Sequence, residues 1–113
     1  MSKQTIHSDN APAAIGPYSQ AVKTGQFVFL SGQIPLVPAT MAVVDGDYAS
    51  TARQVFSNVK PQAEEDGGSL NDAVKKTIFL PHLSNLARLN VDMAEFSDEP
   101  NTALPALQES SLP

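Results

Sequence analysis

Nine prolines stand in 113 residues, at positions 12, 17, 35, 38, 61, 81, 100, 105 and 113, and they hold nearly every regular element to a short run. Each removes a backbone donor and pushes the residue before it out of the helical region. A linker would cluster them. Spread this evenly, they read as punctuation between short strands and helices. The length suits one core, so the expectation is a single domain over residues 1–113. A hydrophobic fraction of 42% against a charged fraction of 17% is enough to bury that core and too uncharged for a disordered chain.

The same composition excludes several functions. The net charge is −5, and no basic run exceeds the pair Lys75-Lys76. A surface that tracks phosphates is therefore not expected, and neither is a nucleic-acid partner. Cysteine is absent, which removes disulfides, thiolate nucleophiles and zinc-thiolate sites together. The apolar runs at residues 27–30 and 77–80 are far too short to cross a bilayer, and residues 1–4 lead into no signal-peptide core. The expectation is a soluble cytoplasmic protein with no membrane partner.

Residues 3–8 read as a leading strand and residues 18–23 as a second, closed by a turn at Thr24-Gly25. Residues 27–34 carry the strongest strand pattern, β-branched and aromatic and apolar on both faces, which predicts a central strand covered on each side. Pro35 and Pro38 stop it, and a short strand can follow at residues 41–44. Ala49, Ala52, Val55, Phe56, Val59 and Ala63 fall on one helical face. Asp47 is placed to cap that helix and Gly67-Gly68 to end it; Pro61 inside it predicts a kink or an early stop. Ser69 to Asp72 matches a capping box, yet residues 74–80 look like a second central strand ended by Pro81. Leu83, Leu86, Leu89, Met93 and Phe96 predict a second amphipathic helix capped by Ser84. Residues 102–107 can form one more strand, which Pro105 confines to an edge or a bulge. The order predicts an α+β fold with helices on one face of a sheet.

Generic catalytic patterns are missing: there is no phosphate-cradling glycine loop, no paired-histidine metal motif and no nucleophile elbow. His7, His82, the acidic run Glu64-Glu65-Asp66 and the Lys75-Lys76 pair read as solvated surface. Two segments carry more. Residues 11–20 (APAAIGPYSQ) form an apolar, irregular loop that leads to Tyr18. Residues 31–35 (SGQIP) place the Ser31 hydroxyl, the bare backbone of Gly32 and the Gln33 amide at the end of the best strand, where glycine lets a ligand approach the main chain.

These two segments, followed by ARQVFSNVK at residues 52–60, GGSL at 67–70 and VKKTIFL at 74–80, closely resemble the RidA/YjgF family of reactive-intermediate imine/enamine deaminases over residues 5–96. The resemblance implies a chorismate-mutase-like, mixed sheet of about six strands with two helices on one face. It also implies a homotrimer in which the sheets form a central barrel, with a site in each cleft between subunits. The implied reaction is hydrolysis of 2-imino acids to 2-keto acids and ammonia, with no metal or organic cofactor. Carried over by motif, the catalytic positions are Tyr18, Gly32 and Asn90, with Ser31, Gln33 and Leu104 at the substrate.

Leu104 is the departure. The family holds the substrate carboxylate with an arginine in a late Pro-x-Arg segment, and counting back from Leu112-Pro113 places that position on Leu104. No Lys or Arg follows Arg88. The family's last strand, with its glutamate, is expected to begin where this sequence stops. A leucine cannot bind a carboxylate, so the sequence also admits a second reading: a catalytically silent member that binds a small ligand or a partner protein in the same clefts.

Overall fold

The computed structural model describes residues 2–96, 104 and 106–110. Three antiparallel strands, β1 (Gln4–Ile6), β2 (Ala21–Thr24) and β3 (Phe27–Leu30), form a sheet in that order, registered by Ile6 opposite Ala21 and Ala21 opposite Leu30. The β2–β3 turn is built on Gly25, whose φ of +59° lies in the left-handed region that glycine enters without steric cost. β4 (Leu36–Val37) and β5 (Ala42–Val43) make a second small hairpin. Its turn holds Met41 at φ +58°, the one non-glycine residue with positive φ among those described.

Asp47 caps α1 (Tyr48–Glu64) by accepting from the Ser50 backbone N–H at 2.9 Å, and Gly67 with φ +86° follows its end. α1 does not stop at Pro61. It runs one turn further, to Glu64, and the Pro61 carbonyl still accepts from Glu65 N–H at 3.0 Å. A proline in the last turn forfeits its own donor and crowds the carbonyl four residues before it, but leaves the bonds after it intact. The capping box at Ser69 and Asp72 forms with both of its bonds, but it opens a single 3-10 turn, Leu70–Asp72. β6 (Ile78–Leu80) comes next, then a 3-10 turn at Leu83–Asn85 and α2 (Leu86–Ala94). Ser84 caps neither: His82 and Asn85 occupy the cap positions, without side-chain bonds. β7 (Ala106–Gln108) lies parallel to β6. Of the strand expected at residues 102–107, Ala106 and Leu107 fall in β7 and Leu104 in no strand, and Thr102, Ala103 and Pro105 lie outside the described residues.

The architecture is α+β. Among the described residues the seven strands form three separate ladders, of three, two and two strands, rather than one sheet of six. The core sits between α1, α2 and β6, where Ala52, Phe56, Leu80 and Leu89 are buried together. Phe56 and Phe96 pack with ring centroids 5.4 Å apart, a separation at which tilted aromatic pairs add to plain burial.

β3 departs most from expectation. It is the edge of its sheet, not the centre, and all four of its residues are exposed. Phe27 and Phe29, on one face by strand alternation, are each 65% exposed, against 36% and 37% for Val28 and Leu30. The pattern of a twice-covered strand is present in the sequence, but the described residues supply no second cover.

Candidate active site

Residues 8–20 and 31–36 meet beside the end of β3. Gln20, only 3% exposed, ties the first segment to itself. Its Oε1 accepts from Ser8 N–H at 2.7 Å, and its Nε2 donates to the carbonyls of Ser8 at 3.1 Å and Pro12 at 2.8 Å. One buried amide with three bonds fixes a loop that has no ladder of its own. Two further bonds join the segments: Ser31 Oγ donates to the Ser19 carbonyl at 2.6 Å, and Ser31 N–H to the Gln20 carbonyl at 3.0 Å.

The second segment is held from behind by α1. Asn58 is fully buried, and its Nδ2 donates to the carbonyls of Ile34 at 3.3 Å and Leu36 at 2.8 Å, while its Oδ1 accepts from Gln54 Nε2 at 2.9 Å. The strand predicted over residues 27–34 ends at Leu30, because from Ser31 onward the main chain bonds to the loop and to Asn58 instead of to a strand.

Between the two segments opens a cleft of about 200 Å³. Pro12, Ala13, Ile15 and Tyr18 line one side, with Gln20 at its base; Gly32, Gln33, Ile34 and Leu36 line the other. Tyr18 is 52% exposed. At Gly32 a Cβ would meet nothing within 4 Å, so the main chain faces open space. The cleft thus combines apolar walls with a phenol, two amides and a bare backbone, and among the described residues no charged side chain lines it.

Of the residues named from sequence, Tyr18, Gly32 and Gln33 line this cleft, and Ser31 anchors its wall. Asn90 does not line it; it is exposed on α2. Leu104 is half-buried ahead of β7. The Pro-x-Arg pattern is also matched by Pro105-Ala106-Leu107, which would put the arginine position on Leu107, in β7 opposite Phe79 and 47% exposed. Both positions are leucine. Sequence reasoning missed Gln20 as a positioning residue, although it closes the quoted APAAIGPYSQ motif, and missed Asn58, whose signal was a polar residue four after Gln54 on a helix face that had to be buried.

A second polar cluster lies between α1 and α2. Arg53 pairs with the buried Asp92 at 3.7 Å and with Glu95 at 3.2 Å, and Arg88 stacks 5.9 Å from the Tyr48 ring centre. Burial, and then the charge of Asp92, raise the Tyr48 phenol above its ordinary range. Burial lowers the Lys76 ammonium. Among the described residues no group of three or more His, Asp or Glu side chains is placed to hold a metal ion.

The family model for Endoribonuclease L-PSP matches residues 8–109, a span that contains both walls of the cleft. The chain belongs to the RidA/YjgF family. It is 46% identical to the 2-iminobutanoate/2-iminopropanoate deaminase of Salmonella typhimurium, over 94% of this chain and 81% of that one. A RutC family protein of Pyrococcus abyssi is 43% identical over 100% of this chain and 89% of its own length. Among solved structures, RidA of the Antarctic bacterium Psychrobacter superposes with a TM-score of 0.91 at 47% identity, covering 97% of this chain and 89% of that one.

Proposed function

We propose that this RidA/YjgF chain hydrolyses reactive imines and enamines to carbonyl compounds and ammonia, in a cleft shared between subunits of a homotrimer. The observation that carries the reading is the meeting of the two motif segments at one preorganised cleft, braced by Gln20 and Asn58. Water adds to the imine carbon, forming a C–O bond as the nitrogen takes up a proton; the carbinolamine then loses ammonia as its C–N bond breaks, leaving the carbonyl. The catalytic demand is to hold the imine, aim the water and move protons. The Gly32 backbone and Gln33 amide supply fixed dipoles, and the Tyr18 hydroxyl a group that both donates and accepts.

The trimer accounts for two features of the single chain. Phe27 and Phe29 form an exposed apolar face on an open sheet edge, which a neighbouring copy would cover. Asn90 takes no part in the cleft of its own chain, and joins a site only if a second subunit brings it there. A catalytically silent binding module is the second reading, favoured by leucine at both candidate arginine positions.

The test couples the protein to an amino-acid dehydratase, with semicarbazide competing for the released imine. Faster keto-acid formation and less trapped imine are expected; no change at saturating protein favours the binding module. Sedimentation of a clean monomer would remove the shared cleft.

A further inference from the structure

Asn58 serves two carbonyls and one amide, and only one setting of its side chain satisfies all three. Main-chain carbonyls accept and never donate, so Asn58 Nδ2 has to face Ile34 and Leu36, at 3.3 Å and 2.8 Å. Its Oδ1 is thereby turned to Gln54, which has to donate and does so through Nε2 at 2.9 Å. The two amides stand four residues apart on α1, where side chains of one helix face meet. Polarity runs one way: Gln54 donates to Asn58, and Asn58 donates to the wall of the cleft.

That wall is anchored at both ends. At one end Ser31 N–H and Oγ donate to the carbonyls of Gln20 and Ser19. At the other, Asn58 holds Ile34 and Leu36. Gly32 and Gln33 span the interval, and their main chain lies where the two anchors leave it. Gln54 is half-buried and does not itself line the cleft. We infer that Gln54 is a positioning residue: by presenting a donor to Asn58 it fixes the sense of that amide, and through it the placement of the Gly32 and Gln33 main chain. These bonds lie within one chain, so they act whichever side chains a second subunit adds to the cleft.

The substitution that tests this changes the donor and little else. Gln54→Glu keeps the shape of the side chain but offers only acceptors when ionised. Asn58 then either sets Oδ1 against a carboxylate or turns over and sets it against the carbonyls of Ile34 and Leu36. Gln54→Met keeps the bulk and removes the bond without reversing it. Gln62→Leu, one turn beyond Asn58 on the same helix, is the control.

The structural arm follows the backbone resonances of Gly32 and Gln33 by NMR in each full-length variant. The activity arm, which alone rests on the proposed imine hydrolysis, supplies 2-iminopropanoate from an amino-acid oxidase at graded rates, with semicarbazide competing. Gln54→Glu is expected to move both resonances and to lower kcat at least 10-fold, roughly, with KM changed less than about 3-fold. Gln54→Met is expected to lower kcat by only about 3-fold, and Gln62→Leu to move neither resonance. Unmoved resonances or wild-type kcat in Gln54→Glu overturn the inference and leave the deaminase reading in place. Equal losses in Gln54→Glu and Gln54→Met also overturn it, because they show lost packing rather than a reversed donor. Should Gln54→Glu not fold, wild-type kcat and unmoved resonances in Gln54→Met overturn it. Moved resonances in Gln54→Glu, with no imine cleared by the wild-type chain, keep the positioning and remove the deaminase reading.

Discussion

Gln62 and Asn58 sit one helical turn apart on α1 and are equally buried, at 1% and 0% exposure, yet they should respond in opposite directions to the same substitution. Among the described residues neither Nε2 nor Oε1 of Gln62 finds a hydrogen-bond partner. An unsatisfied buried polar group costs about 1–3 kcal/mol. Gln62→Leu keeps nearly the same volume and removes both groups, so a net stabilisation of about 2 kcal/mol is expected. For a chain of this length that corresponds to a rise in Tm of about 8 °C. Asn58→Leu loses three bonds and strands the carbonyl of Leu36, while that of Ile34 keeps its bond from Leu36 N–H at 2.7 Å, so a destabilisation of about 1–3 kcal/mol is expected, with loss of the cleft wall. Urea unfolding of both variants at one protein concentration measures the pair. A Gln62→Leu protein that is less stable than wild type would refute the reasoning, because it would show that the Gln62 amide is satisfied in the folded protein.

Three further outcomes follow from α1 and the hairpin. Pro61→Ala restores a donor inside α1 and should stabilise the chain by about 1–3 kcal/mol, read by the same unfolding midpoint. Met41→Gly relieves a left-handed backbone at φ +58° and should gain about 1 kcal/mol, unless the turn changes shape, which an unchanged spectrum for Val37 and Ala42 would exclude. The Ser50 backbone N–H, and then its hydroxyl, hold the Asp47 carboxyl below the usual carboxylate range. Its contribution is therefore complete above the unfolded-state value and fades as pH falls through the lower folded one; Asp47→Ala should lower Tm at neutral pH and flatten the acid side of the stability curve.

The elements whose patterns are local were legible in the sequence. Asp47, the apolar spacing of α1 and Gly67 mark one helix nearly to the residue, because a cap, a face and a left-handed stop act within a few residues of one another. The two motif segments announce the cleft for a similar reason: their glycines and prolines dictate irregular backbone. What stayed hidden depends on partners distant in the chain. The bonds from Asn58 to residues 34 and 36 turn a predicted strand into a wall, and no pattern within residues 27–34 records them. The double-sided apolarity of β3 signals a demand for cover, but the strand lies at a sheet edge and is exposed among the described residues, and nothing within residues 27–34 records which neighbour would cover it. Ser84 fails as a cap because the 3-10 turn at Leu83–Asn85 begins before it, a shift of one or two residues that helix ends commonly show.

The central claim is that imine hydrolysis takes place against the main chain of Gly32. A Cβ there meets no atom within 4 Å, so Gly32→Ala should fold with stability within about 0.5 kcal/mol of wild type while its methyl group occupies the reacting space. The dehydratase-coupled assay with semicarbazide, run on wild type and Gly32→Ala side by side, is the most direct measurement. The account predicts that wild type shortens the lifetime of the imine and that the variant loses most of this effect at unchanged stability. Full activity in Gly32→Ala, or none in the wild-type chain, would contradict it.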